Sequence, residues 1–108
     1  REQLAEIPGV RLTEAAADRR HVYHIFAIFV KNRDEVAKRM QEAGIGVGIH
    51  YPIPVHLQKC FAELGHKPGD FPVAEQIAAE ELTLPIFPEI TPEQIREVVA
   101  GLEKSIRG

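Results

Sequence analysis

The 108-residue chain has a single cysteine, Cys60, no excess of positive charge, and no apolar run near the roughly 18 residues that span a bilayer. A lone cysteine cannot close an internal disulfide, and a cysteine-based zinc site needs more of them. A reducing, cytoplasmic compartment is the expectation that follows. Thirteen Lys and Arg stand against sixteen Asp and Glu, for a formal charge of −3 and a pI of about 5.9. That balance argues against a broad nucleic-acid or anionic-membrane surface. There are no internal repeats, no low-complexity segment and no internal linker. Arg1 is preceded by no initiator Met and begins no signal-peptide pattern, so the chain is expected to be a piece of something longer. What remains is ordinary globular composition, 44% hydrophobic and 27% charged, in one domain's length. Such a domain buries roughly two-thirds of its unfolded surface, enough for one modest core.

The element signals are uneven. Leu4 and Ile7 suit a short helix stopped near Pro8-Gly9, and Val10–Leu12 a short strand. His21–Val30, aromatic and β-branched, predicts the main strand. Tyr23, Ile25, Ala27 and Phe29 lie on one of its faces, and Val22, His24, Phe26, Ile28 and Val30 on the other. Two apolar faces predict cover on both sides, one of them from another domain or a second chain. Residues 32–44 read as a helix, with Asn32 and Glu35 at capping-box spacing and Gly44 at the left-handed stop. Residues 45–51 read as a second strand, with Val47, Ile49 and Tyr51 on one face and Gly46, Gly48 and His50 on the other. Gly46 and Gly48 clear space beside His50 for a backbone or a ligand. Residues 58–64 suit a short helix ending at Gly65. Pro72 opens another, with Val73, Ala74, Ile77 and Ala78 as its apolar face. Residues 82–87 form a strand limited by Pro85. The last helix has the clearest start: Thr91 as N-cap, Pro92 at N1, Gln94 at N3, and an Ile90–Ile95 staple. This order predicts an α+β domain, a short, mostly antiparallel sheet with helices on one face.

Chemistry-bearing residues concentrate around one loop. Pro52 and Pro54 fix an extended backbone and remove two donors, so residues 51–56 form a rigid loop holding His50, Tyr51 and His56 near one another. Ligand hydrogen bonding or proton transfer is one reading of the two histidines, and capping of loop backbone is the other. A metal site on His50, His56, His66 and Asp70 lacks the i, i+4 spacing of a helix-borne zinc site. No metal is therefore assigned. His21 and His24 read as surface or capping residues, Cys60 as a small buried side chain, and the Glu80-Glu81 and Arg19-Arg20 pairs as solvated charge. Gly44, Gly46 and Gly48 leave a helix and enter a strand, the reverse of a dinucleotide-binding turn.

The run Gly44-Ile45-Gly46-Val47-Gly48-Ile49-His50-Tyr51-Pro52-Ile53-Pro54-Val55-His56-Leu57-Gln58 resembles the small-domain signature of the DegT/StrS family. These are pyridoxal-phosphate (PLP)-dependent sugar aminotransferases of the aspartate aminotransferase fold. His24-Ile25-Phe26 with Arg33-Asp34, Gly69-Asp70-Phe71-Pro72-Val73-Ala74-Glu75, Leu82-Thr83-Leu84-Pro85-Ile86-Phe87-Pro88 and Thr91-Pro92-Glu93-Gln94 resemble its flanking segments in order. The likeness runs from about residue 20 to the end.

The resemblance implies the small C-terminal domain of a fold-type I PLP enzyme. The large domain, with the Schiff-base lysine, would lie outside the chain. Lys31, Lys38, Lys59, Lys67 and Lys104 all occupy small-domain positions, so no catalytic residue is expected here. The isolated chain would be inactive. By the same resemblance, His50, Tyr51 and His56 face a nucleotide-sugar substrate, hydrogen bonding hexose hydroxyls or phosphate oxygens. Gly46, Gly48, Pro52 and Pro54 shape the loop, whose rigidity lowers the ordering cost of binding. The implied reaction moves an amino group, usually from glutamate, to a nucleotide-linked keto sugar in a homodimer. The loop is most similar to members acting at a 3-keto position. Two alternatives are a PLP-dependent sugar dehydratase of the same family, in which the lysine is replaced, and a stand-alone binding module.

Overall fold

In the computed structural model, which describes residues 1–108, helix α1 (Glu2–Ala5) is followed by strand β1 (Val10–Leu12), strand β2 (Phe26–Val30) and helix α2 (Arg33–Glu42). Two 3₁₀ turns, Val55–Leu57 and Lys59–Leu64, lead to helix α3 (Pro72–Glu80), strand β3 (Glu81–Leu84) and helix α4 (Pro92–Arg107). The sheet is antiparallel in the order β1-β2-β3. Its register sets Leu12, Ile28 and Leu82 in one row, and Arg11, Phe29 and Glu81 in the next. Side chains alternate along a strand, so the two rows face opposite ways. The first row meets Val36 and Met40 of α2 and Leu102 of α4 in the main core. This is the small α+β architecture expected. No helix is long and apolar enough to cross a membrane.

The helix ends show why the elements stop where they do. At α4, Thr91 Oγ1 accepts the Gln94 N–H at 3.2 Å while Gln94 Oε1 accepts the Thr91 N–H at 2.9 Å, the reciprocal cap expected. At the end of α2, Gly44 takes φ +80°. Its N–H bonds the Gln41 carbonyl and the Ile45 N–H bonds that of Met40, both at 2.9 Å. This Schellman pairing turns the chain so that Ile45 enters the core. Gly101 of α4 receives it, since a β-carbon there would collide with Ile45 Cδ1.

Several expectations are corrected. β2 begins at Phe26 rather than His21. Tyr23 is left-handed (φ 52°), its N–H bonds His21 Nδ1 at 2.8 Å, and its ring stacks on Phe26. That local turn satisfies groups a strand would have paired. Asn32 does cap α2, but in the left-handed region and without a side-chain bond. Its carbonyl takes the Glu35 and Val36 N–H groups instead, so no capping box forms there. The strand expected at 45–51 reduces to one bridge, Gly48 to Thr83. The last strand lies at Glu81–Leu84 and stops before Pro85, which has no N–H to continue the ladder. On α3 only Ala78 is buried; Val73 is 70% exposed. Cys60 is exposed.

The second face of β2 also differs from expectation. Phe29 is 7% exposed, covered from within by the Arg11 guanidinium 4.2 Å from its ring centroid. Arg11 is held by Glu80 at the end of α3, at 3.1 Å. Large apolar side chains are exposed on the 51–64 segment and α3, among them Tyr51, Ile53, Val55, Leu64 and Val73, and also at Val22, Ile86, Phe87 and Ile95.

Two substitutions test this packing by urea unfolding. Leu102→Ala removes a fully buried side chain and is expected to cost about 2–5 kcal/mol. Thr91→Ala removes the cap bond to Gln94 and is expected to cost about 1 kcal/mol.

Candidate functional site

Glu81 and Thr83, two apart on β3, share the sheet face that turns away from the main core. Register sets Ala27, Thr83 and Gly48 side by side, a row of small side chains beside the Phe29–Glu81 pair. His50 folds back over this row. A β-carbon on Gly48 would lie 3.0 Å from His50 Cε1 and 3.8 Å from Thr83 Cβ. The space cleared at Gly48 is thus filled by the His50 ring itself, while that at Gly46 is open.

The Glu81 carboxylate organises the loop. The residue is 2% exposed. Its Oε2 accepts the His50 backbone N–H at 2.6 Å, and its Oε1 accepts the Thr83 hydroxyl at 2.5 Å. Thr83 Oγ1 lies 2.8 Å from His50 Nδ1. The Glu81 backbone carbonyl takes a 2.8 Å bond from Nη1 of Arg33, itself 5% exposed at the start of α2. A buried carboxylate costs several kcal/mol unless hydrogen-bonded, and every oxygen of this one is engaged. The reading of Glu81 as solvated charge is therefore corrected. The missed signal was the alternation Glu81-Leu82-Thr83-Leu84, which marks a half-buried strand and sets both polar residues on one face.

Tyr51 continues outward. It is 69% exposed and meets the His50 ring edge-on at 5.3 Å, and the His50–Tyr51 peptide is cis. Pro52 and Pro54 follow in irregular backbone, as expected.

His56 belongs to a different network. Its side chain is 8% exposed, and Nε2–H donates to Glu75 Oε1 at 3.0 Å. Its ring packs on Phe71 at 4.8 Å between centroids. Glu75 also takes the Gly69 N–H on both oxygens, at 2.8 and 2.9 Å. The Gly69 N–H, with smaller contributions from His56 and Phe71, holds the Glu75 carboxyl below its usual range. The structure thus separates the three residues expected to converge. His50 and Tyr51 stand together on an open rim, while His56 ties the 3₁₀ turns to α3.

The two best-formed hollows do not border His50 or Tyr51. One, of about 360 Å³, is lined by Val55, His56, Phe61, Leu64, His66, Phe71 and Ala74. The other, of about 280 Å³, lies between Leu4, Phe26, Ile86 and α4. All five lysines are exposed and none borders either hollow. Exposed ammonium groups without an enclosing wall do not fit a covalently held aldehyde cofactor, and no step through one is assigned to them.

The family model described as the DegT/DnrJ/EryC1/StrS aminotransferase family matches residues 1–103. The chain is 41% identical over 101 residues to the erythromycin biosynthesis sensory transduction protein EryC1 of Saccharopolyspora erythraea, covering 94% of this chain and 28% of that protein. It is 39% identical over 99 residues to UDP-N-acetyl-3-dehydro-α-D-glucosamine 3-aminotransferase of Acidithiobacillus ferrooxidans, covering 92% and 26%. It superposes on the crystal structure of S. venezuelae DesV in complex with a ketimine intermediate, with a TM-score of 0.92 and 33% identity over 99% of this chain and 29% of that one. For NtdA of Bacillus subtilis with bound cofactor PMP the values are 0.82 and 30%, over 99% and 26%. The chain spans little more than a quarter of the length of the curated relatives it matches.

Two tests follow from the geometry. Gly48→Ala should push the His50 ring off Thr83 and cost about 1 kcal/mol, the net worth of one hydrogen bond, read from the urea midpoint and the His50 Hε1 shift. Gly46→Ala, which meets nothing within 4 Å, is the control and should leave that shift in place. Glu75 supplies the pH test. Its folded carboxyl sits below the ordinary 4.5, so its stabilisation is complete above that value and is lost as pH falls through the folded value. An NMR titration downward from neutral pH should show the Gly69 amide losing its bonded shift, and Glu75→Gln should flatten that response.

Proposed function

The chain belongs to the DegT/DnrJ/EryC1/StrS aminotransferase family, and from that premise we propose that it is the small, C-terminal domain of a PLP-dependent enzyme that aminates a nucleotide-linked keto sugar. The observation that carries this reading is the superposition of 99% of the chain on S. venezuelae DesV. Glutamate is the proposed amino donor. A 3-keto position is the proposed acceptor carbon, in keeping with the substrate in the name of the A. ferrooxidans relative. PLP is the proposed cofactor, in keeping with the PMP bound to NtdA, and it is held by a large domain outside these 108 residues. The parent is proposed to be a cytoplasmic homodimer, and the isolated chain to be inactive.

The division of labour follows from the site. His50 and Tyr51 stand on an open rim whose remaining walls must come from outside the chain. They are the proposed substrate-side residues, hydrogen bonding the sugar nucleotide. Gly46 leaves room for that approach, and Gly48 leaves room for His50. His56, occupied by Glu75 and packed on Phe71, acts on the substrate through the loop it anchors. Pro52 and Pro54 keep the intervening backbone from sampling states that would be lost on binding.

The test uses the full-length polypeptide that carries this chain. His50→Ala should lower turnover of the sugar nucleotide by about tenfold or more, the loss of one hydrogen bond to a charged or strongly polar group. The half-reaction with glutamate should change less. Equal loss in both halves, or none in either, removes His50 from the substrate side.

A further inference from the structure

We propose that Glu81 and Thr83 are positioning residues that set the protonation pattern of His50, keeping the proton of its neutral ring on Nδ1 and leaving Nε2 as a hydrogen-bond acceptor. The inference rests on the reading of His50 as a substrate-side residue and narrows it. A bare Nε2 takes a hydrogen, so the group it meets is a donor such as a hexose hydroxyl, rather than a phosphate oxygen.

The argument is an accounting of hydrogens. A carboxylate only accepts, a hydroxyl has one hydrogen to give, and a neutral imidazole carries one N–H. Glu81 Oε1 and His50 Nδ1 lie 2.5 and 2.8 Å from the same Thr83 oxygen. The hydroxyl hydrogen goes to the carboxylate, so the Thr83 oxygen has only lone pairs to offer the ring. The Nδ1 position must then supply the hydrogen. The bond made by one ring nitrogen decides the state of the other, and Nε2 has no partner within the chain. The second oxygen of the same carboxylate grips the His50 N–H at 2.6 Å, so backbone and ring are oriented together. Sheet geometry makes the arrangement possible. Glu81 and Thr83 are two apart on one strand face, and the ring lies over Gly48, where any side chain would crowd it.

Glu81→Gln is close to isosteric and should invert the relay. The amide oxygen is retained for the His50 N–H, and the amide nitrogen faces Thr83 as a donor. The Thr83 hydroxyl hydrogen is then released toward Nδ1, and the ring proton moves to Nε2. The experiment is ¹⁵N NMR of the full-length polypeptide with labelled histidine, at a pH about two units above the ordinary imidazole value of about 6.5. His50 signals are identified by their absence in His50→Gln. Wild type should show the bare-nitrogen shift at Nε2, Glu81→Gln should show it at Nδ1, and Thr83→Ser, which keeps the hydroxyl, should match wild type. A bare Nδ1 in wild type overturns the proposal whether or not the variants fold, as does a Glu81→Gln spectrum identical to wild type. Failure of the functional reading is seen separately, as absence of sugar-nucleotide amination with the wild-type shifts as stated.

Discussion

The buried carboxylate of Glu81 is the constraint around which the site is arranged. It stands where α3 runs without a loop into β3, on the sheet face that turns away from the main core. Left without donors at that depth it would cost several kcal/mol, so its surroundings must supply them. They come from the loop, through the His50 N–H, and from its own strand, through the Thr83 hydroxyl. Arg33, buried at the start of α2, bonds the carbonyl of the same residue. One residue thereby joins the helix, the strand and the loop. A site built on a strand in this way is held more firmly than one resting on loop backbone alone.

The two loop histidines illustrate two uses of one side chain. His56 is closed off, with Glu75 on its proton and Phe71 against its ring. His50 is held by one nitrogen and leaves the other open. Between them run Tyr51 to Val55, with Tyr51, Ile53 and Val55 more than half exposed. Glu75 matters here because its carboxylate gathers the Gly69 N–H and the His56 ring at one point. The far end of the loop is thus anchored as the near end is, though by a more exposed carboxylate. A loop pinned at both ends has little conformational freedom left to lose when a ligand arrives.

The second face of the sheet changes meaning in light of this arrangement. Its apolar part is short, because Arg11 lies over Phe29 and is itself fixed by Glu80. Its polar part, Glu81 and Thr83, is covered by His50. Large apolar side chains stay exposed on the loop and α3, beside the site, and also at Val22, Ile86, Phe87 and Ile95. Exposed apolar side chains gathered in this way mark a surface suited to contact with another domain or chain.

Local chemistry was legible in the chain itself. Thr91, Pro92 and Gln94 start α4 as read, because a reciprocal cap involves only residues three apart. Gly44 ends α2 because only the backbone at that position decides a left-handed stop. The rigid double-proline loop and the opening of α3 at Pro72 follow from a fixed φ and a missing N–H. What depends on distant partners was not legible. Residues 45–51 have strand composition, but only Gly48 finds a pairing partner, at Thr83. Glu81 looks like half of a solvated acidic pair until the strand turns it toward His50, 31 residues away in sequence. The meeting of His50 and His56, expected from their closeness in sequence, was undone by Glu75 and Glu81 drawing them to different elements. The sequence determined where the main helices begin and end and which loop carries two prolines between two histidines, since those depend on neighbours along the chain. Only the tertiary structure decided which of those residues is free to act, because that turns on which distant donors and acceptors already occupy it.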